Sequence, residues 1–133
     1  MNTNLVDPYE LNIRKALDKI LPGAYDNIEK IGGFPTEIRK NILEILIKYA
    51  CESQNVTAIM LARDRIKKIP SSCLSCIFLE ALDAVIDFQD EWEYRRLLEL
   101  VKEAVPDLLT LFIDRGYSQR RLKYEKRQKI FFN

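Results

Sequence analysis

The stretch TEIRKNILEILIKYA, residues 36–50, decides the fold of this chain. Its apolar residues recur at intervals of three and four, which is the spacing of one helical face; they are Ile38, Ile42, Ile45, Leu46 and Tyr49. A second set widens that face and consists of Leu43, Ile47 and Ala50. We therefore expect a long helix that begins at Thr36 and is buried on more than one side.

Helix signals also precede this stretch. Asp7-Pro8-Tyr9-Glu10 predicts a helix start, in which Asp7 accepts from free backbone N–H groups and Glu10 closes a capping box. The residues behind it have the spacing of one buried face: Ile13, Ala16, Leu17, Ile20 and Leu21. Pro22-Gly23 is expected to end that helix, and a short helical turn to follow over 24–31.

Further helix starts follow downstream at regular intervals. The predicted starting residues are Asn55, Ser71 or Ser72, Asp90, Pro106 and Ser118. Gly116 is predicted to end the helix that follows Pro106, as a C-terminal cap. The chain then finishes with an apolar tail, Ile130-Phe131-Phe132.

These signals together predict an all-α fold. The starts near 36, 55, 72, 90 and 106 place alternate helices about 35 residues apart, as stacked helix pairs do. The sequence has no sustained alternating run and no Asn-Gly or Asp-Gly hairpin turn that would indicate strands. We expect one domain, 1–133, built as an antiparallel stack of six or seven helices. The stack is weakly solenoid-like in the manner of HEAT repeats, with a plain bundle as the alternative.

Composition favours a binding protein over an enzyme. The chain has 133 residues, of which 47% are hydrophobic and 31% charged, and it contains no His. The commonest general base and the commonest neutral metal ligand are therefore absent. No apolar run reaches the length of about 20 residues that a membrane span needs, and the N-terminus lacks the pattern of a signal peptide. We expect a cytoplasmic protein without a catalytic site, a cofactor or a metal.

The three cysteines admit a chemical reading and a structural one. Cys73-Leu74-Ser75-Cys76 is a C-x-x-C motif at a predicted helix start, where the helix dipole favours a thiolate. A redox site of this type follows a strand, and a zinc site needs two further ligands, of which only Cys51 is present. The expectation is that Cys51 and Cys76 are small buried apolar residues and that Cys73 stands at the helix start.

The net charge of +1 hides two opposite blocks. Residues 80–107 sum to −6, whereas residues 115–129 sum to +6. Within the acidic block, Asp83, Asp87 and Asp90 are spaced to lie on one side around a helix end, and Trp92 falls among them. An aromatic residue set among acids is typical of a surface that docks a basic partner. A solvated acidic face, with Trp92 packed across a helix end, is the alternative.

The basic block has two interpretations. Its cations, from Arg115 to Lys129, are interleaved with Tyr117 and Tyr124 and could contact phosphates of a nucleic acid. Alternatively, they belong to a solvated terminal helix that pairs with the acidic helix beside it. The second interpretation is favoured, because the helices before this block sum to a negative charge.

The end of the chain resembles a protein family. The string DEWEYRRLLEL at 90–100, followed by Leu108-Leu109, Phe112-Ile113, Gly116 and Ser118, is similar to the ending of all-helical bacterial immunity proteins. These are small cytoplasmic antitoxins of contact-dependent growth inhibition and related polymorphic toxin systems. The resemblance covers about a quarter of the chain. It departs from the family after Ser118, where this chain is strongly basic instead of acidic or mixed.

The resemblance implies a protein that binds one cognate toxin C-terminal domain, very often a basic nuclease, and occludes its active site. On that interpretation acidic residues supply steering and specificity, and aromatic residues anchor the complex. The expected partner-binding residues are Asp83, Asp87, Asp90, Glu91, Trp92, Glu93 and Tyr94. No membrane partner is expected. The alternatives are a helical adaptor or scaffold domain and a small nucleic-acid-binding regulator that uses the basic C-terminal segment.

Overall fold

The computed structural model describes residues 7–87 and 89–118, and within these residues all regular structure is helical. The α-helices are α1 (Pro8–Asp18), α2 (Thr36–Glu52), α3 (Val56–Lys67), α4 (Ser71–Val85), α5 (Glu91–Ala104) and α6 (109–118). Two 3-10 helices, Ile28–Gly33 and Pro106–Leu108, lie in the connections before α2 and α6. The predicted all-α stack is confirmed.

Local capping explains where several helices begin. The Asp7 carboxylate accepts from the backbone N–H of Tyr9 at 2.7 Å. In the same way Asn55 accepts from Ala58 at 3.1 Å and starts α3. These side chains satisfy N–H groups that have no partner within the helix, so the helix starts predicted at Asp7 and Asn55 are confirmed.

Helix α2 is the centre of the molecule and contacts α1, α3, α4 and α5. Its buried residues lie on several sides: Ile42, Leu43, Leu46, Ile47, Ala50 and Cys51. The α2–α4 and α3–α5 contacts are those of alternate helices in a stack, while the α2–α5 contact is a bundle feature. The expectation that α2 is buried on more than one side is confirmed, and α2 thereby places its C-terminal end beside the start of α5.

Helix α6 packs across α4 and α5. The rings of Phe112 and Phe78 meet edge to face with their centroids 5.8 Å apart. The Tyr94 hydroxyl donates to the carbonyl oxygens of Phe112 and Ile113, at 3.1 and 3.3 Å. An ion pair of 2.7 Å joins Arg115 to Asp83 on α4. The Tyr94 bonds hold the first turn of α5 against α6, and the other two contacts hold α6 against α4.

The prediction that Gly116 ends a helix as its C-terminal cap is wrong. Residue 116 lies inside α6, is buried, and faces the ring of Tyr94. A Cβ atom at this position would overlap Cζ, Oη and Cε1 of Tyr94. The close approach of α5 and α6 therefore explains the glycine. The prediction rested only on its position after an apolar run, which is also where helix-ending glycines occur.

The cysteine prediction is confirmed for Cys51 and for Cys73, which lies in the first turn of α4, but it is wrong for Cys76. Cys51 and Cys73 are buried and Cys76 is exposed. Cys73 precedes Ile77 by four residues and so extends the buried stripe of α4, whereas Cys76 lies off that stripe. Burial raises the pKa of the Cys51 thiol to about 12, which keeps that group neutral.

Ser118, predicted to cap a following helix, lies within α6 instead. The helix predicted to follow it, the basic residues after it and the apolar tail Ile130-Phe131-Phe132 lie outside the described residues. Among the helices described, none is long and apolar enough to cross a membrane.

Candidate functional site

A turn between α4 and α5 sets the position of the acidic residues. The Asp87 carboxylate accepts from the backbone N–H of Gln89 at 2.9 Å, and the carbonyl of Asp87 accepts from the N–H of Asp90 at 3.1 Å. Asp90 then caps α5 by accepting from the N–H of Glu93 at 3.0 Å. The predicted cap at Asp90 is thus confirmed, and the first turn of α5 projects acidic side chains next to the end of α2.

A pocket of about 400 Å³ lies where α2 ends and α5 begins. We call it the acidic pocket; it is lined by Glu52, Gln54, Asp90, Trp92 and Glu93. Three of these residues were predicted as partner-binding from the sequence. Glu52 and Gln54 were missed, because they precede Asp90 by more than 30 residues and only the contact between α2 and α5 brings them there.

The carboxylates of the acidic pocket have no ion pair within the described part of the chain. The other face of α5 is different: Glu99 pairs with Arg63 at 2.8 Å, and Glu103 lies 3.8 Å from Lys67. Two sets of acids on one helix therefore differ in their surroundings. One set is neutralised by α3, and the other faces a pocket that no Lys or Arg of the described residues lines.

The position of Glu93 has an electrostatic cost. Partial burial raises the pKa of its carboxyl, and repulsion from Glu52, Asp90 and Asp87 acts in the same direction. A hydrogen bond from the backbone of Asp87 opposes that rise. Since a raised pKa means that the charged form is disfavoured, a cation entering the pocket would be bound favourably.

Trp92 forms one wall of the acidic pocket. Its side chain is 49% exposed, and the Arg96 guanidinium lies 4.3 Å from the ring centroid on one face. The ring also borders a smaller hollow with Glu91 and Arg95. Trp92 is not among the buried residues of α5, and its ring presents apolar area to solvent beside the carboxylates.

The remaining predicted residues lie in different surroundings. Asp83 is exposed but pairs with Arg115, and Glu91 pairs with Arg95 at 3.0 Å on an exposed surface. Tyr94 is only 8% exposed and lies under α6, so a role as a direct surface anchor is not available to its ring. Its physical role is to hold α5 against α6, which supports the position of Trp92 two residues earlier.

An apolar groove adjoins the acidic pocket. It has a volume of about 550 Å³ and lies between α1 and α2. We call it the apolar trough; its lining residues are Ala16, Ile45, Lys48, Tyr49, Glu52 and Ser53. Glu52 lines both the trough and the acidic pocket, so the two cavities adjoin at this residue.

Within 7–87 and 89–118, no group of three or more Cys, Asp and Glu side chains is arranged to hold a metal ion. No family model matches this chain, and neither a curated protein nor a solved structure gives a significant match. The acidic pocket, Trp92 and the apolar trough are therefore the features on which a functional argument is built.

Proposed function

We propose that this protein is a cytoplasmic immunity protein that binds a cognate toxin domain and occludes its active site. The observation that carries the proposal is the acidic pocket, in which Glu52, Asp90 and Glu93 have no cationic partner in the described residues. Like charges held together cost free energy in the unbound protein. A basic partner would remove that cost on binding, which makes the pocket a suitable contact region.

The chemistry of a nuclease active site fits this surface. Such a site must hold phosphates and is therefore electropositive. Acidic groups on an inhibitor raise the association rate by steering the encounter and oppose partners of the wrong charge. The half-exposed ring of Trp92 supplies apolar area at the centre of the charges, and Trp is enriched among the residues that dominate interface energies.

The direct test is co-purification with the C-terminal domain of the protein encoded immediately upstream. We expect a stable one-to-one complex, and we expect cells that express the toxic domain to grow when this protein is co-expressed. An upstream domain without toxicity, or a toxic domain that neither binds nor is neutralised, would contradict the proposal.

A matched pair of substitutions tests whether Trp92 is part of the interface. Trp92→Ala should weaken the complex by about 2 kcal/mol or more, roughly thirtyfold, because a central aromatic contact is lost. Phe34→Ala is the control, since Phe34 is also an exposed aromatic residue but lies before the opposite end of α2. Titration calorimetry on folded variants should show a loss for the first and no loss for the second. Equal effects would exclude Trp92 from the contact.

The apolar trough favours one second candidate, a helical adaptor that binds a segment of another cellular protein. Ile45 and Tyr49 are half-buried in its wall, as in grooves that accept an apolar side chain or an amphipathic helix. An adaptor would bind its partner without any effect on toxicity. The growth assay therefore separates the two candidates.

A further inference from the structure

We infer that the acidic pocket and the apolar trough together form one docking surface. Its occupant is a partner segment that carries a Lys or Arg side chain close to a large apolar side chain. This inference deepens the proposed function, because it rests on a protein partner and specifies the chemistry of that partner's contact segment. It does not depend on what the partner does.

The shared lining residue of the two cavities is the first step. Glu52 is the last residue of α2 and lines both of them, so the trough and the pocket adjoin at this side chain. A helix rises about 1.5 Å per residue, which places Ile45 about 10 Å and Tyr49 about 4.5 Å along α2 from Glu52. These separations span one to three residues of an extended peptide or up to two turns of a helical one.

Charge complementarity is the second step. Among residues 7–87 and 89–118, the acidic pocket is lined by three carboxylates, the Gln54 amide and the Trp92 ring, and by no cation. A Lys or Arg head group would donate charge-assisted hydrogen bonds to the carboxylates, and its stem or a guanidinium plane would pack on the indole. Lys48 is the cation lining the trough, and it lies one helical turn before Glu52. Because carboxylates line the pocket, an anionic segment would be repelled there.

Apolar area in the trough is the third step. Ala16 on α1 leaves space opposite Ile45 and Tyr49 on α2, and all three side chains are half-buried. Burial of an apolar side chain there would add roughly 25 cal/mol for each Å² removed from water. The cation and the apolar side chain would thus be recognised by different parts of one surface, which selects for their spacing.

The test is a selection of random 12-residue peptides displayed on phage against the immobilised full chain. We expect enrichment of peptides with a Lys or Arg within about seven positions of a Leu, Ile, Phe, Met or Trp. Selected peptides should shift the fluorescence of Trp92, which is the only Trp in the protein and lies in the pocket. Enrichment of peptides without a basic residue would overturn the inference.

Three sets of variants locate the binding. Glu52→Gln with Asp90→Asn and Glu93→Gln removes the charges but keeps amide groups of the same shape, and Ala16→Gln fills the trough without adding charge. The variant without the three pocket charges and the Ala16→Gln variant should each weaken peptide binding at least tenfold. Glu29→Gln with Glu37→Gln and Asp107→Asn removes three exposed charges elsewhere and should change it less than twofold. Equal binding by all three sets would overturn the inference.

A last variant tests the chain's own basic segment as the occupant. The six cations after Ser118 are replaced by Gln in the full chain: Arg120, Arg121, Lys123, Lys126, Arg127 and Lys129. The affinity of this variant for the selected peptides should stay within about threefold of that of the natural protein. A tenfold or larger gain would assign the surface to the chain's own segment and overturn the inference.

The outcomes also separate this inference from the proposed function. Neutralisation of a toxin domain without enrichment of basic–apolar peptides would refute the docking surface and leave the proposed function in place. Enrichment of such peptides without a neutralised toxin would refute the proposed function and leave the docking surface in place.

Discussion

At the scale of single residues, close contacts decide identities that chain position does not explain. Gly116 sits in the interior of α6, where glycine weakens a helix by about 1 kcal/mol relative to alanine. The ring of Tyr94 occupies the space that a Cβ atom would need. The hydroxyl of the same ring donates to two carbonyl oxygens of α6, so the ring cannot move away without losing those bonds.

We predict that Gly116→Ala lowers the free energy of unfolding by about 1–3 kcal/mol, because overpacking outweighs the gain in helix propensity. Chemical denaturation followed by circular dichroism measures the change. Gly33→Ala is the matched control, since nothing lies within 4 Å of a Cβ atom at that position. The account of the α5–α6 contact is wrong if the two variants are equally stable.

Glu93 provides a prediction of pH dependence. Because its pKa is raised in the folded protein, its protonated form favours folding below the ordinary value of 4.5, and that contribution is lost as the pH rises through the raised pKa. Glu93→Gln should therefore stabilise the protein at pH 7. The gain should be below about 1 kcal/mol, since the carboxyl is partly screened by solvent.

The stability difference between Glu93→Gln and the natural protein should shrink towards zero as the pH falls below about 4, where Glu93 is protonated in both states. Thermal unfolding of both proteins at a series of pH values measures this stability difference. Glu37→Gln serves as a control for the loss of one charge, because Glu37 is exposed in the first turn of α2. A destabilised Glu93→Gln variant at pH 7 would show that the carboxylate is not under electrostatic strain.

At the scale of elements, the central position of α2 concentrates stability in one helix. Leu46 is fully buried and belongs to the helix that contacts α1, α3, α4 and α5. Leu46→Ala should lower the free energy of unfolding by about 2–5 kcal/mol, through lost burial and the cavity left behind. Val56→Ala, at an exposed position in the first turn of α3, should cost less than about 0.5 kcal/mol. Similar losses for both would contradict the central role of α2.

The helices themselves were predictable from the sequence because their causes are local. The cap at Asn55 and the wide stripe of α2 act within a few residues of the chain, and both are found as expected. Gly116 and Cys76 were assigned wrongly, since their surroundings are set by packing between helices. Tyr94 illustrates the same limit: its place on the apolar stripe of α5 was predictable, but the helix that covers it was not.

At the scale of the whole molecule, the candidate site was only half predictable. Asp90, Trp92 and Glu93 stand together in the sequence, and their acidic and aromatic character was visible there. Glu52 lies beside them because α2 packs on α5. The apolar trough forms because α1 packs on α2. The sequence signal that could have found Glu52 is an exposed acid at the end of the most buried helix. Only a three-dimensional arrangement shows which acids share a pocket.

Carboxyl groups of this molecule differ in their electrostatic surroundings. Asp26, in the connection after α1, pairs with Arg14 at 2.8 Å, and Asp83 on α4 pairs with Arg115. The Arg14 guanidinium lowers the pKa of the Asp26 carboxyl, whereas the pKa of Glu93 is raised. A lowered pKa marks Asp26 as a carboxyl whose charge stabilises the folded state. A raised pKa marks Glu93 as one whose charge destabilises it.

The central claim is that the unpaired carboxylates of the acidic pocket bind a basic partner. The most direct measurement is the dissociation constant of the proposed complex with the C-terminal domain of the protein encoded immediately upstream. It is made for the natural protein and for Glu52→Gln with Asp90→Asn and Glu93→Gln. We predict at least a tenfold weaker complex, or about 1.4 kcal/mol, for that variant. The variant Glu29→Gln with Glu37→Gln and Asp107→Asn should bind as the natural protein does. Equal dissociation constants for all three proteins would contradict the claim.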